Sequence, residues 1–122
     1  MHRVLYTVRA RFSDPATKAE FLSWLSDGHV DQVIAAGAHS ALIVELDPAP
    51  VLSQSSPSPS MPGPTTPPAH PGGTVEVHYV FATREALDEY IHTHAAALRA
   101  DGLRRFPPDR GVTFERQIGR II

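Results

Sequence analysis

Apolar and polar side chains alternate with period two over residues 3–12, RVLYTVRARF. Val4, Tyr6, Val8, Ala10 and Phe12 share one face, and Arg3, Leu5, Thr7, Arg9 and Arg11 the other. Alternation of this kind predicts a half-buried strand. Ser13-Asp14-Pro15 reads as a helix start, with Ser13 or Asp14 as N-cap and Pro15 at the first helical position. Phe21, Leu22, Trp24 and Leu25 form the apolar side of that helix. Gly28 interrupts it, and Val30, Val33 and Ile34 resume on a rotated face, which predicts a kink or short break near Asp27–His29. Gly37 suits the residue that closes the element.

Residues 39–47, HSALIVELD, predict a second strand, with Leu42, Val44 and Leu46 on one face and Ile43, Glu45 and Asp47 on the other. A third follows over 74–82, where Val75, Val77, Tyr79 and Phe81 oppose Glu76, His78 and Val80. Thr83 is a fitting N-cap and Glu85 suits the positive end of a helix dipole. Leu87, Tyr90, Ile91, His94 and Leu98 make one helical stripe that Gly102 is expected to end. After the Pro107-Pro108 turn, residues 112–122 predict the last strand, with Val112, Phe114 and Ile118 opposite Thr113, Glu115 and Gln117.

The order βαββαβ with right-handed crossovers predicts an α+β, ferredoxin-like domain: a four-stranded antiparallel sheet with both helices on one face. The other face would mix Leu5, Ile43, Val80 and Ile121 with Arg9, Glu45, Glu76, His78 and Glu115. A half-apolar, half-charged face suits a second copy packed against it, with a polar pocket between.

Composition changes this picture in one place. Nine of the 12 prolines lie between Pro48 and Gly73, and no Asp, Glu, Lys or Arg stands between Asp47 and Glu76. Such a tract has too little to bury to offset the entropy of ordering, so residues 1–122 are expected to form a single domain with a disordered hairpin insertion at 48–73. The PxxP spacings at Pro59/Pro62 and Pro64/Pro67 lack the flanking basic residues of a polyproline ligand. A net charge of −2 argues against nucleic-acid or anionic-membrane binding, and the absence of cysteine excludes disulfides, thiolate nucleophiles and Cys-based zinc sites. No apolar run approaches a membrane span, and the N-terminal residues pass straight into a strand pattern unlike a signal peptide. A cytoplasmic protein is the expectation.

Candidate chemistry gathers in two places. On the open sheet face, Arg9 would bind an anionic or enolate oxygen while His78 or Glu76 moves a proton; Glu45 and Glu115 would flank them. The plainer reading is a set of cross-strand ion pairs tuning a dimer interface. Against the helices, Trp24, His29 and His94 are candidates to line a pocket. Each has an equally simple structural role, Trp24 as a core anchor and His94 as a core histidine bonded to a backbone carbonyl. Two histidines without a third ligand at fixed spacing give no metal motif, and no cofactor-binding motif is present.

The spacing Trp24-x4-His29-Val30 with Val33 and Gly37, and the longer run Tyr90-x3-His94-Ala95-x2-Leu98-Arg99-x2-Gly102-Leu103-x-Arg105-Phe106, together resemble the family known as domain of unknown function 4286. That family is grouped with the dimeric α+β barrel proteins, which include cofactor-independent monooxygenases, small isomerases and haem-dependent enzymes. The resemblance covers all but the proline-rich tract and implies a homodimeric barrel without naming a reaction. Two functions stay open: a ligand-binding or structural dimer, and a cofactor-independent enzyme, monooxygenase- or isomerase-like, acting on a small anionic or carbonyl-bearing molecule.

Overall fold

A computed structural model describes residues 2–46 and 72–122. Four strands, β1 (Val4–Phe12), β2 (Ser40–Leu46), β3 (Gly73–Phe81) and β4 (Val112–Arg120), form one antiparallel sheet in the order β2-β3-β1-β4. The helical segments are α1 (Pro15–Trp24), α2 (Val30–Ala35), α3 (Arg84–Thr93) and α4 (Ala95–Arg105). The fold is ferredoxin-like, as the alternation patterns and connection order predict. The expected proline-rich insertion lies outside the described residues, apart from Gly72 and Gly73 at its end. Among the described residues no helix is long and apolar enough to cross a membrane.

The core lies between the sheet and the helices. Phe12, Val75, Val77, Phe81 and Val112 of the sheet are buried against Phe21, Leu25, Val33 and Leu87 of the helical layer. Burying aliphatic and aromatic side chains of this size contributes about 1.5–3 kcal/mol each, and this layer is the main source of stability. Asp14 caps α1: its Oδ2 accepts from the Thr17 amide at 3.2 Å and the Thr17 hydroxyl at 3.0 Å. Thr83 caps α3 by accepting from the Ala86 amide at 3.1 Å.

The break expected near Asp27–His29 is a kink within Leu25–His29, where Asp27 (φ −92°, ψ 24°) and Gly28 (φ 133°, ψ −23°) leave the helical conformation. The second helical stretch differs from expectation. It bends at His94, whose backbone (φ −118°, ψ −30°) joins α3 to α4, and it runs past Gly102 to Arg105. Gly102 is therefore no terminator. It is buried inside α4 beneath the Trp24 ring, where an added Cβ would stand 3.2 Å from Trp24 Cη2.

The register also corrects one strand. Glu45 pairs with Val75 and Ile43 with Val77, so both belong to the helix side of the sheet. Leu42, Val44 and Leu46 occupy the open face instead, beside His78, Glu76 and Thr74. Both faces of β2 carry apolar residues, so alternation alone leaves its orientation undecided.

Candidate functional site

The open face of the sheet carries the first cluster. Val44, Glu76, Arg9 and Glu115 stand side by side across the four strands; Leu42, His78, Thr7 and Gln117 form the next row. Arg9 Nε donates to Glu76 Oε2 at 2.6 Å, and His78 Nε2 lies 2.9 Å from Glu76 Oε1. Arg9 Nη1 approaches Glu115 at 3.5 Å, and Arg11 also pairs with Glu115. The hydrogen bond with His78, joined by the Arg9 guanidinium, holds the Glu76 carboxyl below its ordinary value, against the opposing effect of burial. Both Glu76 oxygens are thus engaged and its proton affinity is lowered, which fits a structural ion pair better than a general base. Glu45 is absent from this cluster: from the helix side it pairs with Lys18 of α1.

A second site lies between the sheet and the helices, where a cavity of about 50 Å³ is walled by Phe21, Trp24 and Leu25 on one side and Leu98 and Gly102 on another. Tyr6, Tyr79, Tyr90, His29, Arg99 and Arg116 supply its polar groups. The tyrosine rings stand together, with Tyr6 centroids 6.2 Å from Tyr79 and 6.0 Å from Tyr90. Arg99 Nη2 donates to the Tyr6 hydroxyl over 3.3 Å. Burial pushes the Tyr79 phenol well above its ordinary value and that of Tyr90 up to about 12, so both stay protonated at neutral pH and act as donors. Among the described residues no hydrogen bond engages either hydroxyl.

Trp24 and His29 form the outer wall, their rings stacked at 4.0 Å and 22°. In a regular α-helix, five residues turn through roughly 500°, which would set His29 about 140° away from Trp24 around the axis. The kink at Asp27 and Gly28 breaks that regular spacing and brings the imidazole back against the indole. Among the described residues, the buried His29 Nδ1 has no hydrogen-bond partner. Burial lowers the His29 pKa from 6.5 to about 4, with Asp101 pulling weakly the other way, so the ring is neutral at physiological pH. On its far side the same stack borders an open polar groove that also touches Asp27, Asp101, Arg105 and Arg110.

Trp24 and His29, both pocket candidates from the sequence, line this cavity. His94 stands apart: its recorded aromatic neighbour is Tyr90, at 6.4 Å, and it does not line the cavity that His29 lines. The tyrosines, Arg99 and Arg116 escaped the sequence reading as site residues. A signal was available, since Tyr6, Tyr79 and Tyr90 all fall on core-facing positions, where a hydroxyl needs a partner. Arg116 likewise shares the helix side of β4 with Phe114 and Ile118. Among the described residues no three metal-ligating side chains gather.

A family model described as "Domain of unknown function (DUF4286)" matches residues 3–121. No curated protein matches the chain. Several solved structures share the fold at low identity. A dimeric ferredoxin-like protein from an uncultured marine organism superposes with a TM-score of 0.61 at 11% identity, over 100% of this chain and 97% of that one. A protein of unknown function from Nitrosomonas europaea gives 0.59 at 14% identity, over 100% and 91%. An ethyl tert-butyl ether d (ethd) family protein from Bacillus halodurans gives 0.57 at 13% identity, over 97% and 99%.

Proposed function

The chain belongs to the family described as domain of unknown function DUF4286, and from that premise we propose that it is a homodimer, paired through the open sheet face, that binds a small and partly apolar molecule in the cavity between sheet and helices. The observation that carries the ligand reading is the cavity's unused polarity: a buried His29 Nδ1 without a partner beside the tyrosine hydroxyls. Buried polar groups are rarely left unpaired unless water or a ligand completes them. Support for pairing comes from the open face, where Leu42 is 60% exposed among Val44, Leu46, Leu5 and Val80. The similar marine protein is itself described as dimeric. An enzyme acting through Arg9, Glu76 and His78 is the weaker reading, because the ion pairs already occupy Glu76.

Native mass spectrometry of the protein as purified tests this. A dimer, with added mass of a few hundred daltons or less on part of the population, is the expected spectrum. A monomer at micromolar concentration contradicts the pairing, and failure of any small molecule to bind contradicts the cavity reading.

A further inference from the structure

The polar lining of the helix–sheet cavity is one-sided in charge. Arg99 and Arg116 both reach it, and no aspartate or glutamate is among its lining residues. Arg9 and Arg11 pair with Glu115, and Arg110 with Glu20, whereas Arg3, Arg105 and Arg120 lie outside the cavity lining and, among the described residues, pair with no carboxylate. Among the described residues neither Arg99 nor Arg116 has a carboxylate partner. Arg99 makes the long contact with the Tyr6 hydroxyl, and Arg116 lies over the Phe114 ring, 5.7 Å from its centroid. Asp101, the acid nearest to His29 in electrostatic effect, lines the outer groove and not the cavity.

Building on the cavity reading above, we propose that its ligand is a small monocarboxylate with an apolar body, the carboxylate held by Arg99 and Arg116 and the body held among Phe21, Trp24, Leu25 and Leu98. A planar guanidinium matches the two oxygens of a carboxylate, and such charge-assisted bonds are about twice as strong as neutral ones. The protonated hydroxyls of Tyr79 and Tyr90 donate to the same anionic group, as tyrosines buried beside cations should. The aromatic and aliphatic wall offers nothing to a second charge, which disfavours dicarboxylates and polyphosphates. At about 50 Å³ the cavity admits only a short aliphatic body and no ring.

Trp24 is the chain's only tryptophan, so its fluorescence reports the cavity wall directly. Titration with propionate and with its neutral isostere propionamide should show propionate binding about tenfold more tightly or better. Arg116→Gln, on an exposed strand position, should remove about that factor for propionate while leaving the melting temperature unchanged. Equal binding of the two probes, with no effect of Arg116→Gln, overturns the carboxylate assignment and leaves the cavity reading standing. If neither probe, nor xenon under pressure, perturbs Trp24, the cavity reading itself falls and takes this proposal with it.

Discussion

At the residue scale His29 is the most informative side chain, because its surroundings set both its charge and its stacking. Its ordinary pKa of 6.5 applies to the unfolded chain, and about 4 to the folded one. Between these values the unfolded chain takes up a proton that the folded chain refuses, so stability rises with pH there. Stability should therefore fall as pH drops from about 6.5 to about 4, with no further loss from His29 below that. After allowance for the solvent contact His29 retains, the loss is on the order of 1 kcal/mol. Urea midpoints measured across this range should show the slope in the wild type and not in His29→Phe, which keeps an aromatic stack but cannot titrate. An unchanged slope in the variant would assign it to another group. Glu76 contributes in a separate window: its lowered pKa gives stability that is present above its ordinary 4.5 and lost as pH falls through the lower folded value.

At the scale of elements, the kink at Asp27 and Gly28 is what sets His29 against Trp24. Gly28 holds φ 133°, a conformation that side chains rarely adopt, and an added Cβ would meet nothing within 4 Å. The cost of Gly28→Ala is therefore purely conformational, about 1–3 kcal/mol. Chemical denaturation should show that loss, together with altered Trp24 fluorescence as the stack with His29 loosens. A neutral substitution would mean that the turn can be reshaped freely. The break itself was readable from Gly28 and the rotated apolar face after it. The stacking of Trp24 on His29 was not, because residues five apart meet only when the helix between them is broken. The bend at His94 was likewise hidden, since Leu87, Tyr90, Ile91 and Leu98 fit a continuous helical stripe. Strand β2 was misoriented for a related reason: Ala41 and Ile43 oppose Leu42, Val44 and Leu46, and two apolar faces carry no directional signal.

At the scale of the whole molecule, the proposed pairing rests on the open sheet face and the proposed ligand site on the helix–sheet cavity. Correcting β2 makes the open face more apolar than the sequence pattern implied, because Leu42, Val44 and Leu46 replace Ile43 and Glu45 there. Leu42→Glu should weaken the dimer by at least about tenfold, since a desolvated, unpaired carboxylate is costly at a packed interface. Sedimentation should show the shift toward monomer while far-ultraviolet circular dichroism stays unchanged; an intact dimer would mean that pairing uses another surface. The four-strand topology was legible from alternation, because each strand but β2 has one clearly apolar face. The cavity was not legible, because it arises where two helices and a sheet leave space, a property of packing and not of any one element's pattern.

The most direct test is a crystal structure of the protein grown with propionate. The account predicts the aliphatic end lying between Trp24 and Leu98, with its carboxylate within hydrogen-bonding reach of Arg99 or Arg116. Water alone in a fully refined cavity, at a propionate concentration that saturates the fluorescence change, would contradict it.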